Sequence, residues 1–208
     1  YGGLYHYFYD CKGVVKEDSV RKLLLADKVA MDKFILLFGK FSESNSKELV
    51  EKIFRYDTFS DRKCAYDILT DMNVNVCPYC NRQYTFTLKS HKARPQFDHY
   101  YPKSMYPYLA VTLYNLVPSC GICNQAKSAL DTVVNPVLYP YEEEFGENIR
   151  FKTIDKSVKA ICGLSEDFDV EIDIDSSVPT DIKKKVETQR NALYYWNCLL
   201  LVCNMKKK

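Results

Sequence analysis

Histidine is scarce in this chain: 208 residues hold three of them. An imidazole-dependent site therefore has few places to form. Long apolar runs are lacking too, since the longest, around "NCLLLVCN", falls far short of the roughly 20 residues a membrane span needs. No signal-peptide pattern opens the chain, so a soluble, cytoplasmic protein with no membrane partner is expected. The first residue is Tyr1 rather than Met, which leaves the natural start open. There is little excess charge of either sign. A net charge of +2 argues against coating nucleic acid by bulk electrostatics, so any such contact is local or shared with a partner. Internal repeats and low-complexity segments are missing. With 47% apolar residues the chain can bury an ordinary core, as one domain or as a compact centre with elaborations at each end.

Cysteine, by contrast, is plentiful and unevenly spaced. Cys77 pairs with Cys80 and Cys120 with Cys123, while Cys11, Cys64, Cys162, Cys198 and Cys203 are scattered. The scattered five lie mostly in apolar surroundings and read as small core-filling hydrophobes. Each Cys-x-x-Cys turn can present two thiolates to one ion, and two turns complete the four-thiolate set of a structural zinc site. A redox dithiol would need one pair, not two. Four ligands leave no open position, so the Zn2+ is expected to be structural and any catalysis must come from elsewhere. The 39 residues between the pairs make the zinc the staple at the ends of an inserted hairpin.

Periodicity places these motifs in an α+β chain. Apolar residues at helical spacing from Asp18 to Phe38 predict one amphipathic helix closed by Gly39; Ser46 is placed to cap a second, and Cys64, Ala65, Ile68, Leu69 and Met72 mark a third. The segment "RQYTFTL" then alternates as a half-buried strand does, with "QFDHYY" as its partner strand and "NQAKSAL" beginning a helix. Beyond Pro136, "NIRFKTI" and "VEIDI" read as strands, followed by a helix bearing Ile182, Val186, Gln189, Leu193, Trp196 and Leu200. The expected organisation is a helical region at 1–73, a core with the zinc site at 74–135, and strands with a helix at 136–208.

Within the core, Asp98 and His99 are adjacent on a strand, so their side chains point to opposite faces and should divide their roles. A carboxylate is a hard ligand suited to Mg2+, and a neutral imidazole is suited to taking a proton from water. Asn124, fixed in place directly after Cys123, can offer its amide oxygen as a second hard ligand. A lone histidine on a strand is more often a packed side chain. The pattern around it argues otherwise: Asp98-His99, Pro102, Asn115-Leu116, Cys120-Gly121-Ile122-Cys123-Asn124 and Lys127 together resemble the HNH nuclease family.

The resemblance covers roughly residues 74 to 130 and implies a ββα-metal core. It implies His99 as the general base, Asp98 and Asn124 as ligands of a catalytic Mg2+ or Mn2+, and Asn115 as the residue that orders the loop carrying the base. Asn124 stands where the family name has histidine, which favours Mg2+ or Mn2+ over softer metals. The implied reaction is hydrolysis of DNA phosphodiester bonds, leaving 5′-phosphate and 3′-hydroxyl ends. Lys92 and Arg94, in a run with Lys89 and His91, and Lys103 and Lys127 beside the site, supply a cationic rim for the nucleic-acid backbone. Tyr100, Tyr101, Tyr106 and Tyr108 are available to stack bases, although strand aromatics more often serve packing. No sequence-reading helix is visible, so weak sequence preference is expected. His99, at a strand end, should be removable without disturbing the core.

The outer segments "YGGLYHYFYD" and "NALYYWNCLLLVC" are aromatic and apolar, suited to packing or to a partner. Short HNH proteins of this kind resemble the nuclease subunits that accompany an ATPase in bacterial anti-phage systems of the Septu and retron-associated types. Competing readings are a non-catalytic zinc module that binds nucleic acid and a protein-interaction subunit. In the first the cysteines matter and Asp98, His99 and Asn124 are incidental.

Overall fold

The computed structural model describes residues 2–41, 50–88, 93–162, 164–165 and 168–193. The chain is α+β and divides into two compact units, Tyr1–Val134 and Asn135–Lys208. The first carries α1 (Gly2–Phe8), α2 (Glu17–Leu24), α3 (Lys28–Phe38), α4 (Tyr56–Ser60), α5 (Lys63–Met72), β1 (Gln96–His99), β2 (Leu116–Ser119) and α6 (Gly121–Lys127). Among the described residues no helix is long and apolar enough to cross a membrane. Ser46, Lys92, Trp196, Leu200, Cys198 and Cys203 lie outside the described residues.

The single helix expected from Asp18 to Phe38 is two helices. Asp27 breaks it: with extended backbone, its carboxylate accepts a 2.8 Å bond from the Ala30 N–H and caps α3. A short acidic side chain gains more at a helix start than in its interior, where it competes with the backbone. Met31 and Phe34 turn the inner face of α3 inward, and Phe34 stacks on Phe38 while Tyr7 of α1 meets both rings edge-on. The opening aromatic segment thus packs within its own unit, at least through Tyr7 and the buried Phe8.

The partner of β1 is β2, not the alternating segment at 82–88. β1 and β2 run antiparallel with Phe97 opposite Pro118 and His99 opposite Leu116. All four residues of β2 are buried, as befits a strand covered on both faces. Among the described residues, those at 82–88 take part in isolated bridges, Val76 to Tyr84 and Leu88 to Ala93, and in no ladder. Their burial has the opposite phase to that expected: Thr85 is buried and its hydroxyl donates to the Val74 carbonyl, whereas Tyr84 and Phe86 are exposed, their rings stacked 5.2 Å apart. The hydrogen bond lets a polar residue occupy the inner position at little cost.

One core cluster sits on one face of the β1–β2 ribbon. Ala65 and Leu69, one turn apart on α5, pack against Phe97 and Leu116, with Tyr56, Phe59, Ile68 and Met72 around them. The expected core role does not hold for the three scattered cysteines among the described residues, because Cys11, Cys64 and Cys162 are exposed. The second unit is a hairpin of β3 (Ile149–Asp155) and β4 (Phe168–Ile174), with α7 (Val158–Ile161) between them and α8 (Thr180–Ala192) following. Val186 of α8 joins Leu138, Ile149 and Val178 in its core, flanked by Ile172, Ile174 and Ile182.

Candidate functional site

The two Cys-x-x-Cys turns come together. The sulfurs of Cys77, Cys80, Cys120 and Cys123 all lie within 4.8 Å of one another, with Cys77 and Cys123 buried. The first turn is closed by backbone bonds from Asn81 N–H to the Cys77 carbonyl and from Cys77 N–H to the Gln83 carbonyl, both 2.8 Å, with Asn81 in the left-handed region that asparagine tolerates. The second opens α6: Cys120 is its N-cap, and its sulfur accepts the Cys123 N–H at 3.4 Å. Four sulfurs so close cannot all ionise alone. Hydrogen bonds to Cys77 and Cys80 push the Cys123 thiol well up, while bonds from Cys123 and Cys77 pull Cys80 well down. A soft-ligand divalent cation relieves that conflict by holding all four as thiolates, and the donor set fits structural zinc.

The ribbon separates Asp98 from His99. Phe97 and His99 share the face covered by α4 and α5, where the Tyr56 ring meets the imidazole edge-on at 4.5 Å. Gln96 and Asp98 share the other face, against α6. The His99 Nε2 lies 2.9 Å from the Ala110 carbonyl oxygen. A carbonyl only accepts, so Nε2 carries the proton and Nδ1 keeps its lone pair. Burial lowers the pKa of this imidazole to about 4, with the charges of Lys103 and Lys127 adding to the effect. His99 is therefore neutral at pH 7. It is also 8% exposed and braced, so its removal is expected to cost stability, where its strand-end position suggested none.

Asp98 is 2% exposed and has two protein partners on its carboxylate. The Tyr79 hydroxyl donates to its Oδ2 at 2.7 Å, and the Lys127 ammonium lies 3.1 Å from Oδ2 and 3.3 Å from Oδ1. Lys127 also donates to the His99 carbonyl at 2.7 Å. It is buried, so it does not belong to the cationic rim where its sequence position put it: its charge compensates Asp98. Burial lowers its pKa, with the neighbouring carboxylate opposing the shift. Burial, and then the Asp98 charge, hold the Tyr79 hydroxyl well above its usual range, keeping it a donor.

Asn124 Nδ2 donates to Gln96 Oε1 at 2.7 Å, leaving its amide oxygen as the atom with ligand capacity. Asp98, His99, Asn124, Gln96, Lys103 and Arg94 line one cleft of about 570 Å³. A carboxylate and an amide oxygen in one cleft fit a hard divalent cation, since a carboxylate has about four lone-pair sites and Tyr79 and Lys127 take up to three. Lys103 is half exposed at the rim, 3.6 Å from Asp57 and over the Tyr56 ring. The Arg94 guanidinium is held by the Ser60 hydroxyl at 2.6 Å and by the Ser60 and Pro95 carbonyls.

Asn115 stands apart from the cleft. Fully buried, it donates to the carbonyls of Tyr101 and Leu109 and accepts the Tyr101 N–H at 2.7 Å, cross-tying the loop between β1 and β2 that carries Ala110. Asn115→Ala would remove three hydrogen bonds from buried backbone groups, of which the Leu109 carbonyl keeps its 3.2 Å bond from the Thr112 N–H, so at about 1 kcal/mol a bond the urea midpoint should fall by the equivalent of roughly 2 kcal/mol or more. An unshifted midpoint would mean the loop is held by its other ties. Those include the Tyr108 hydroxyl to the Gly39 carbonyl and the Tyr106 hydroxyl to Asp131. Tyr100, Tyr101, Tyr106 and Tyr108 are all buried, which removes them as base-stacking surfaces.

With this geometry in hand, the similarity to known proteins is limited but pointed. Septu protein PtuB of Bacillus thuringiensis is 35% identical over 72 residues. The match takes in 35% of this chain and 26% of PtuB, so the chain spans about a quarter of that relative's length. No protein-family model matches, and no solved structure does.

The sequence pattern did not announce Tyr79, Gln96 or the Ala110 carbonyl as parts of this site. Tyr79 had one available signal: an aromatic residue between two ligand cysteines must point where the cluster aims it. For Lys127, its place three residues after Asn124 puts the two on one side of α6, close enough to serve neighbouring atoms of β1.

Proposed function

We propose that this protein is a divalent-metal-dependent HNH endonuclease that hydrolyses DNA phosphodiester bonds. The observation that carries the reading is the convergence of Asp98, His99 and Asn124 on one cleft, from a strand pair and helix whose ends are pinned by four cysteines. His99, neutral and with Nδ1 unprotonated, takes a proton from water as the water oxygen bonds to phosphorus and the bond to the 3′-oxygen breaks. Ala110 fixes the ring's tautomer, and Tyr56 fixes its plane. Asp98 and Asn124 would hold Mg2+ or Mn2+, which when bound supplies charge stabilisation for the phosphate and the leaving oxygen. Lys103 at the rim lies where a phosphate backbone would pass. Zn2+ held by Cys77, Cys80, Cys120 and Cys123 is structural in this reading.

The similarity to PtuB, with the HNH pattern, supports a role as nuclease effector of a prokaryotic anti-phage complex, partnered by an ATPase subunit. The small net charge fits a nuclease that relies on a partner for its grip on DNA. Purified protein, alone and co-expressed with its genomic neighbours, should nick supercoiled plasmid with Mg2+ or Mn2+ and not with EDTA. No metal-dependent nicking in either preparation would sink the reading. A non-catalytic, zinc-stabilised nucleic-acid-binding module is favoured by one observation, the prior neutralisation of Asp98 by Lys127, and predicts DNA retention without cleavage in that assay.

A further inference from the structure

We propose that Tyr79 is a positioning residue for the Asp98 carboxylate, so that the four-cysteine cluster governs the affinity of the neighbouring site for a divalent cation. The inference rests on the reading of Asp98 and Asn124 as ligands of a hard metal ion. Tyr79 lies inside the Cys77–Cys80 turn, and its ring is 1% exposed. Packing alone would be served by phenylalanine. A buried hydroxyl has to find a partner, and this one reaches the Asp98 Oδ2 at 2.7 Å.

The carboxylate's second protein partner reaches it from the other cysteine pair. Lys127 ends the helix that Cys120 caps and Cys123 enters, and its ammonium spans both Asp98 oxygens. Both donors are thus carried on segments whose starting points are fixed by the same four sulfurs. Moving either turn moves a hydrogen-bond donor on Asp98. Such outer partners fix a ligand's orientation, and their loss typically costs 10–100-fold in metal affinity. The cluster is therefore joined to the cleft by two short, buried connections.

Tyr79→Phe tests this, because it keeps the ring and removes only the hydroxyl. The zinc-loaded chain is titrated with Mn2+, the unbound ion being followed by its paramagnetic resonance signal, and zinc per chain and melting temperature are recorded alongside. Tyr84→Phe, at an exposed tyrosine on the following segment, is the control. Tyr79→Phe is expected to keep its zinc and to raise the Mn2+ half-saturation concentration about tenfold. Cleavage by it should return to the parental kcat at saturating Mn2+, and Tyr84→Phe should match the parent throughout. An unchanged half-saturation in a parent that does bind Mn2+ would overturn the proposal and leave the nuclease reading standing. Loss of zinc from Tyr79→Phe would also overturn it, since Tyr79 would then serve the cluster alone. A parental chain that neither binds Mn2+ nor cuts DNA would remove both.

Discussion

Plasmid cleavage by the His99→Gln variant is expected to fall about 10²- to 10⁴-fold, with zinc content unchanged. The choice of glutamine follows from burial. His99→Ala would strip a braced ring from between Tyr56 and Ala110 and leave the Ala110 carbonyl unpaired, at a stability cost of about 1–3 kcal/mol. Glutamine has an amide N–H that can still meet that carbonyl but no nitrogen lone pair basic enough to accept water's proton. Loss of rate in this variant therefore reads out the base and not the fold. Because burial holds the imidazole pKa at about 4, protonation of His99 should begin to cut the rate only as pH approaches that value, well below the ordinary 6.5. A glutamine variant that cuts at the parental rate would remove His99 from the mechanism.

The Cys120→Ser variant should lose zinc and, with it, the cooperative unfolding transition of the Tyr1–Val134 unit. A structural four-thiolate zinc site contributes folding free energy of about 10 kcal/mol or more, comparable to the whole net stability of a typical domain, about 5–15 kcal/mol. Cys120 also caps α6, the helix that brings Asn124 and Lys127 to β1. Its loss therefore reaches the cleft by a second route. Cys77→Ser should behave similarly through the first turn, whereas Cys64→Ser, at an exposed cysteine outside the cluster, should change neither zinc content nor melting. A Cys120→Ser protein that stayed folded and zinc-free would show that hydrogen bonding and packing suffice to hold the two turns together.

What the sequence made legible is what local spacing encodes. The paired cysteines announce a four-sulfur cluster because each pair is a two-ligand turn, and the structure does gather them. The α5 helix and the β3–β4 hairpin follow from periodicities that local chain geometry enforces. The partner of β1 was not legible, because strand pairing is a contest between segments. Alternation at Tyr84, Phe86 and Leu88 resembled a half-buried strand, but Leu116–Ser119 could be covered on both faces and took the position. The environment of Asp98 was hidden for a related reason. Its two donors lie 19 residues before it and 29 after it, and no periodicity links such distances. Lys127 shows the consequence: read as a surface cation from its sequence, it is a buried counter-charge in the fold.

The loop between β1 and β2 bears on whether this site is a transplantable cassette. The stretch resembling a nuclease motif begins near residue 74, yet the loop that supplies the His99 partner is fastened to residues far upstream of that boundary. The Tyr101 hydroxyl bonds Asp32 on α3, the Tyr108 hydroxyl bonds the Gly39 carbonyl, and Phe41 N–H bonds the Met105 carbonyl. Excising the motif at its apparent edges would thus sever the outer moorings of the one loop that orients the imidazole. Portability ends at α3, and grafting this chemistry onto another scaffold would mean carrying the helix along with it.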